Sequence, residues 1–568
     1  MYILGLNIHH ADSSASLLLD GELICATEEE RFTRIKHWAG FPKASIDFCL
    51  EFAGIELGEV DHVVIGRDPN AKLLKKVIYS IKRFGQIKGF LRERIYNRQN
   101  ISSIDDLFIQ HYGFKPSIHY VEHHRAHLAS AFFASPFEEA TLVSLDGSGD
   151  FSTVMVARAE GNSIEVLDSV DFPVSLGIIY TAFTQYLGFP YYGDEYKVMG
   201  LSPYGKPTLL QEMEDIFDYC PENILRWNEE FFNLSNGAIR YVDGVPEVPV
   251  LFSSKLTDKF GSPRKKGDDL TSKHKDIASS LQRHVENVIF KILNHAYDLS
   301  HSANLCIAGG VAQNSVANGK ILTNTKFTNL YVPSAGHDAG ISMGAAQYFY
   351  FVTLKKPKLG PIYNANLGIE FTNDEIKLIL ESKGLKYSFL DDTKLFDYIA
   401  QSISNRKVVG FFDGRAEFGP RALGSRSILA DPRDPKAQEL LNLKIKKRES
   451  FRPFAPSILE EYGNEYFENY QFTPFMERVL KIKESKRNLI PAVTHVDGTG
   501  RLQSVSQEQR PRYYQLIKSF YEHTGVPILI NTSFNENEPV VNIPEHAIAT
   551  YERTDLDILV LGNFVLEK

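Results

Sequence analysis

The sequence predicts an α/β protein of two domains. Three observations carry this reading: a strand–polar turn–strand unit that occurs twice, an amphipathic helix set between short apolar strands, and a Pro/Gly-rich break over 355–367. The length of 568 residues suits two to four domains of about 100–200 residues each.

The first unit reads Tyr2–Leu6 as a strand, Asn7–Ser14 as a polar turn and Ala15–Leu19 as a second strand. Asp20-Gly21 then turns the chain into Glu22–Thr27. The second unit has the same layout: Ala140–Leu145, a polar turn over Asp146–Asp150, then Ser152–Ala159. Ile277, Leu281, Val285, Val288, Ile289 and Ile292 recur at helical spacing, which predicts a long helix over Ser272–Leu299. A strand over Asn304–Ala308 meets Gly309-Gly310, with a helix expected after Asn314. A strand over Leu330–Val332 leads through Ser334–Gly340 into a buried helix. In KKPKLGPIYNANL the hydrophobic period is lost, so the domain boundary is placed there. Beyond it helix and strand alternate again, with strands over Val408–Phe412 and Pro527–Ile530. Phe252–Thr271 is polar and reads as a surface loop.

Composition narrows the function classes. A formal charge of −9 argues against a broad nucleic-acid surface, which needs clustered positive charge. Cys25, Cys49, Cys220 and Cys306 are scattered with no CxxC pair, which excludes a disulfide scaffold and a thiolate zinc finger and fits a reducing compartment. The N-terminus has no secretion-signal pattern and no apolar run reaches spanning length. A cytoplasmic protein without membrane association is therefore expected.

Four constellations could carry chemistry. In His123-His124-Arg125-Ala126-His127 the first and last histidines are four apart, share a helix face and can hold one metal ion. Three histidines in five residues also fit a chance run on a solvated face. Asp146 and Asp338, each at the end of a strand or the start of a helix, would complete a set of hard nitrogen and oxygen donors suited to iron(II), manganese or zinc.

Gly-rich turns at Asp12–Ser14, Asp146–Gly149 and Gly309-Gly310 with Asn314 offer backbone N–H groups to phosphate. No GxxxxGK[ST] occurs. In the C-terminal part, Arg415, Arg421, Arg426, the run Lys444–Arg448 and Arg452 suit a multiply charged anion, with Asn531, Thr532 and Ser533 as neutral donors. The alternative for Lys444–Arg448 is a solvated helix face. Near the start, His10 opens a polar turn and is a candidate general base. Glu28–Glu30 with Arg31 and Arg34 reads as a solvated charge pattern.

Nine motifs then occur in order: GLN…DSSASLLLDG, EEERFTRIKH, HHRAHLASAF, LDGSGD, YKVMGL, AGGVAQNSVANGK, GPRALGSRS, FRPFAPS and NTSFN. Together, over nearly the whole chain, they resemble the nodulation-protein-U / cephalosporin and tobramycin carbamoyltransferase family. The resemblance implies an actin/sugar-kinase-like (ASKHA, threonylcarbamoyl-transferase-like) two-lobed domain over 1–355. It further implies a linker over 356–369 and a YrdC-like α/β domain over 370–568. It implies an ATP-dependent O-carbamoyltransferase that makes carbamoyl-adenylate from carbamoyl phosphate and ATP, then transfers the carbamoyl group to a small hydroxylated acceptor, a sugar or natural product. Fe(2+) is the implied metal, with Mg(2+) accompanying ATP.

By motif, His123, His127, Asp146 and Asp338 match the metal ligands, and Gly177, Gly310 and Asn314 match adenylate contacts. Arg421, Lys446, Arg452, Arg501, Asn531 and Ser533 match the carbamoyl phosphate and ATP pocket. His37 and Asp68 match the acceptor side. The family pattern has His directly before the Asp of the first turn, whereas here His10 is one position earlier. His10 is kept as the base, with Asp12 as its positioning partner. A homodimer is a further expectation.

Three other functions fit the residues less well. A tRNA threonylcarbamoyl-forming fusion would need a basic face that the net charge of −9 disfavours. A non-enzymatic actin-like nucleotide-binding scaffold would leave the His/Asp quartet and the Arg cluster without a purpose. A hydrogenase-maturation carbamoyltransferase would need Cys-rich zinc motifs, and four isolated Cys exclude it.

Overall fold

The computed structural model describes residues 1–82, 104–234 and 239–568. The chain divides into two compact units, Met1–Asn314 with Ile321–Ile362, and Tyr363–Lys568 with Ser315–Lys320.

The first unit holds two five-stranded sheets. In one, the strands run in the order Glu22–Glu28, Ser14–Leu19, Tyr2–Asn7, His62–Ile65, Ile118–Tyr120. The first three are antiparallel in sequence, and the last two run parallel to the first strand. In the other, Glu139–Gly149, Ser152–Glu160 and Ser163–Asp171 form the antiparallel meander, and Asn304–Ala308 and Asn329–Tyr331 add parallel strands on the opposite edge of Glu139–Gly149. Both sheets thus have the order third-second-first-fourth-fifth. A repeated sheet of this topology is the actin/sugar-kinase fold, the fold that the family resemblance implied.

The local reasons are plain in the sequence. Tyr2–Asn7 pairs with Ser14–Leu19 in one continuous register from Tyr2↔Leu19 to Asn7↔Ser14. Both strands are mostly apolar and are buried on both faces, with Ser14 and Ser16 as the polar exceptions in Ser14–Leu19 and Asn7 at the end of Tyr2–Asn7. The expected long helix spans Ser272–Ser300, starts at a Thr271–His274 capping box, and buries Ile277, Leu281, Val285, Val288, Ile289 and Ile292. The buried helix after Asp338 spans Gly340–Gln347 and continues into a wider-turned segment, Tyr348–Thr353. It is pinned to the first sheet through Ser14 Oγ, which donates to the Ala339 carbonyl at 2.7 Å, and through Ser16, whose hydroxyl is 2.7 Å from that of Ser342.

This helix crosses the helix His123–Phe132 at Gly344, where an added Cβ would fall 1.9 Å from the Ala126 carbonyl oxygen. Overpacking of this kind costs about 1–3 kcal/mol. Gly344→Ala is therefore expected to lower the melting temperature, read by calorimetry, and an unchanged melting temperature would refute this close crossing.

Three local expectations need correction. The Asp146–Asp150 segment is not a free turn: strand geometry persists to Gly149, and the register shifts between Leu145 and Gly149. Phe252–Thr271 is not all loop, because Ser253 caps a short helix, Ser254–Phe260, that buries Leu256 and Phe260. Glu28, Glu29 and Arg31 are buried rather than solvated. Arg31 pairs with Glu28 at 3.1 Å, and the Glu29 carboxylate accepts from the Ala44 and Ser45 amides and the Ser45 hydroxyl. Buried charges are tolerated when paired in this way.

The second unit is built on a nine-stranded mixed sheet. Val409–Phe412 lies parallel to Ile558–Leu561 and antiparallel to Arg426–Ala430, which in turn pairs with Ile528–Ser533. Ala455–Leu459 connects Ile528–Ser533 to Thr499–Val505 and the edge strand Arg478–Lys481. Helices Asp392–Ser404 and Pro511–Thr524 contribute Leu395, Phe396, Ile399, Leu516, Ile517 and Phe520 to one apolar core. All four cysteines are free thiols. Among the described residues no helix is long and apolar enough to cross a membrane.

Candidate active site

In the first unit, a helix, a strand and the loop before a second helix bring together four side chains that could hold a metal ion. The helix His123–Phe132 follows the strand Ile118–Tyr120 and is capped by Glu122, whose carboxylate accepts from the Arg125 amide at 2.8 Å. His123, His124 and His127 are all buried, so the solvated-face alternative fails. His123 Nε2 lies 3.2 Å from Asp146 Oδ2 and 3.7 Å from Asp338 Oδ1, and His127 Nε2 lies 3.3 Å from the same Asp338 oxygen. The ligand atoms of His123, His127, Asp146 and Asp338 all fall within 4.8 Å of one another.

Burial alone would lower the His123 pKa. Hydrogen bonding to Asp146 and the charges of Asp338, Asp146 and Asp150 outweigh it and hold the imidazole at about 9. Burial dominates at His127 and lowers its pKa. Asp146 and Asp338 are both held low: the surrounding histidines overcome the cost of burying each carboxylate.

The cluster fits a metal ion. Both His127 ring nitrogens and Asp338 Oδ1 are buried and make no hydrogen bond. Orphaned polar atoms at one point, with two nitrogens and two oxygens and no sulfur, match a hard divalent cation. The ligands are held from behind. Asp146 Oδ1 accepts from the Gly310 amide at 2.8 Å, leaving Oδ2 to face His123. Asp150, which sequence reasoning left without a role, accepts from the amides of both His123 and Asp68, at 3.0 and 2.7 Å. Gly149 lies so close to the His123 ring that a Cβ would fall 2.0 Å from it. These groups orient first-contact ligands, as outer partners of metal sites do.

His10 stands beside this cluster. Its ring centroid is 5.6 Å from that of His123, and its Nδ1 is 2.6 Å from Asp338 Oδ2. Asp12 does not position it, which corrects the expected pairing. Asp12 Oδ1 instead meets His37 Nδ1 at 2.8 Å. The cause is the turn: His9 and Asp12 both have positive φ, and Asn7 Nδ2 donates to the Ala11 and Asp12 carbonyls. This turns the Asp12 carboxylate toward His37 and leaves Asp338 as the partner of His10. Burial lowers the His37 pKa, but Asp12 and then Glu30 raise it further, to about 9. The Asp68 carboxylate caps its own turn by accepting from the Asn70 amide.

The expected adenylate contacts line the same strand ends. Ser175 caps the helix Leu176–Tyr186 and donates to the Gly147 carbonyl at 2.7 Å. Gly177 allows this helix to approach, since a Cβ would fall 2.8 Å from Gly147 Cα. Gly310 supports Asp146 as described. Asn314 exchanges two hydrogen bonds with Gln282, at 3.0 and 3.1 Å. A helix N-terminus next to a Gly turn is suited to phosphate.

The second unit holds the basic cluster. Burial, and then the like charges of Arg421 and Arg448, pull the Arg501 pKa down. Lys446 is not on a solvated face. It is buried, and its ammonium donates to the Ser533 carbonyl and hydroxyl and to the Asn535 carbonyl and side-chain oxygen. Asn531 donates to Gln503 Oε1 at 2.9 Å, and Arg452 pairs with Glu449 at 2.7 Å.

Two arginines leave the expected anion set. Arg415 donates to the Gly368 and Leu367 carbonyls, and Arg426 to the Asp413, Gly414, Ser425 and Ile369 carbonyls while stacking on Phe412. Their forks are consumed by main chain. Glu417 was missed by sequence reasoning. Its buried carboxylate accepts from the amides of Leu423, Ser425 and Arg426 and so shapes the loop that carries Arg421.

The fold and the buried cluster define an actin/sugar-kinase-like protein with a candidate metal centre. Family models place it more narrowly: residues 2–347 match the carbamoyltransferase N-terminus and 400–568 the carbamoyltransferase C-terminus. The chain belongs to the carbamoyltransferase family and is a carbamoyl-transferring enzyme. It is 38% identical to an uncharacterized protein of Synechocystis sp., over 100% of this chain and 97% of that one. It is 39% identical to nodulation protein NolNO of Sinorhizobium fredii, over 98% of this chain and 79% of that one. A solved structure of component A of the Acidaminococcus fermentans (R)-2-hydroxyglutaryl-CoA dehydratase aligns with a TM-score of 0.35 at 14% identity, covering 62% of this chain and 98% of that chain.

Proposed function

We propose that the protein forms carbamoyl-adenylate from carbamoyl phosphate and ATP, then transfers the carbamoyl group to a hydroxyl of a small acceptor. The observation that carries this reading is the pairing of chemistries within one chain: a buried His/Asp cluster with an adjacent imidazole in the first unit, and a half-buried arginine cluster in the second. Nitrogen lone-pair donation makes a carbamoyl carbonyl a poor electrophile, and adenylation supplies a good leaving group. The balance is carbamoyl phosphate, ATP and water giving carbamoyl-adenylate, pyrophosphate and phosphate; transfer to R–OH then gives the carbamate and AMP.

Arg421, Arg501 and Arg452 would bind the phosphates, with Asn531 and Ser533 as neutral donors, while Lys446 positions Ser533. Gly177, Gly310 and Asn314 would contact the adenylate. A divalent cation such as iron(II), held by His123, His127, Asp146 and Asp338, would stabilise negative charge on a phosphate leaving group. His10 Nε2 would take the acceptor proton, because its Nδ1 is directed at Asp338. His37 and Asp68 belong to the acceptor side. Nucleic acid and membrane have no part in this reading.

Product analysis tests it. With acceptor present, one AMP is expected for each carbamoyl group transferred. ADP as the sole nucleotide product would refute the adenylate route.

A further inference from the structure

The strand Arg478–Lys481 closes one edge of the nine-stranded sheet, paired on its inner side to Thr499–Val505. Its outer side is covered by Ser315–Lys320, the end of the AGGVAQNSVANGK motif, which has no role in the chemistry above. This segment belongs to the second unit, although Asn314 before it and Ile321 after it belong to the first. It closes on itself as a helical turn, with the Gly319 amide donating to the Ser315 carbonyl at 3.1 Å.

A sheet edge left bare is a liability, and here it is met residue by residue. The Glu477 carbonyl accepts from Asn318 Nδ2 at 3.0 Å, and the Lys481 carbonyl from the Glu468 amide at 2.9 Å. Ile482 points the other way, its amide donating inward to the Gly498 carbonyl. Between the two outward carbonyls Gly319 lies on Val479. A Cβ on Gly319 would fall 1.8 Å from the Val479 carbonyl oxygen and 3.1 Å from its amide nitrogen. The φ of Gly319 is not positive, so its backbone would accept a side chain and only the close approach demands glycine. The clash would be with main chain, which no rotamer change relieves.

Val479 stands directly opposite Arg501. The Val479 amide and carbonyl face Gly319, so this pair is the non-hydrogen-bonded kind, in which opposed side chains come closest. Val479 is buried and shares a sheet face with Arg501, so it forms a fixed wall beside that side chain.

From this register we infer that Gly319 is a positioning residue for the anion pocket: its bare Cα lets Ser315–Lys320 seat Val479, and Val479 in turn sets Arg501. This rests on Arg501 binding phosphate, as proposed above. Gly319 acts through Arg501 and not on the substrate.

The test is a double-mutant cycle, read by calorimetric titration of inorganic pyrophosphate into the full chain, so that it does not depend on turnover. Gly319→Ala should weaken pyrophosphate binding by about fivefold or more, and Arg501→Ala should weaken it further. Adding Gly319→Ala to Arg501→Ala should cost no more than about twofold, because the side chain through which Gly319 acts is already gone. A glycine that served stability alone would lower the melting temperature and leave the affinity unmoved. Thermal melts of every variant report folding.

Wild-type affinity in a folded Gly319→Ala, or an equal loss in both backgrounds, would overturn the inference. If Gly319→Ala fails to fold, Val479→Ala, which removes the wall beside Arg501, replaces it under the same criteria. A misfolded Val479→Ala would mark this edge as structural and overturn the inference too. Wild type that binds no pyrophosphate, or Arg501→Ala that binds it as wild type does, would overturn the placement of phosphate at Arg501 and the inference with it. Failure of wild type to make carbamoyl-adenylate would instead overturn the adenylate reading and leave the cycle standing.

Discussion

His127→Ala is expected to abolish metal binding and, with it, carbamoyl transfer. His127 is fully buried, has no hydrogen-bond partner at either ring nitrogen, and lies 3.3 Å from Asp338 Oδ1. Its Nδ1 has no hydrogen-bond partner and its Nε2 faces only the Asp338 carboxylate, itself a candidate ligand, an arrangement that a metal ion would satisfy. Changing residues that merely support ligands costs about 10–100-fold in metal affinity, so losing a ligand should exceed that range. Metal content by mass spectrometry reads the first effect. A second readout separates ligation from folding, because a bound ion stabilises the folded state by mass action. A chelator should lower the melting temperature of wild type and leave that of His127→Ala unmoved. Full metal content in the variant would refute the assignment.

The second large effect is expected at Arg501. Burial, with the like charges of Arg421 and Arg448 nearby, disfavours its protonated form. Such an arrangement costs stability and makes sense where an anion neutralises it. Arg501→Ala should reduce kcat/KM for carbamoyl phosphate by on the order of 10²–10³, the range for losing one charge-stabilising donor. The same change should hold or raise the melting temperature of the ligand-free protein, since it removes repulsion. A fall in both activity and stability would instead mark Arg501 as structural.

Much of the first unit is legible in the sequence. The hairpin pairing from Tyr2↔Leu19 to Asn7↔Ser14 follows from two apolar runs around one polar turn, and the i,i+4 spacing of His123 and His127 places both on one helix face. What the sequence hides is partner choice. His10 and Asp12 are two apart and look like a pair. The positive φ at His9 and Asp12 sends them to different partners, Asp338 and His37. Arg415 and Arg426 look like Arg421 because charge is visible in a sequence, whereas backbone carbonyls waiting to accept are not. Glu28, Glu29 and Arg31 read as a solvated run for the same reason: their pairing and burial depend on Ser45 and the fold around it. The hairpin Arg240–Val242 / Val245–Glu247 carries an Asp243-Gly244 turn signal, but its strands of three residues are too short for any periodicity to set them apart.

The adenylate route turns on one intermediate. Wild-type protein, loaded anaerobically with iron(II) and incubated with ATP and carbamoyl phosphate but no acceptor, should yield carbamoyl-adenylate by mass together with pyrophosphate. ATP left intact under those conditions, or ADP in place of the adenylate, would contradict it.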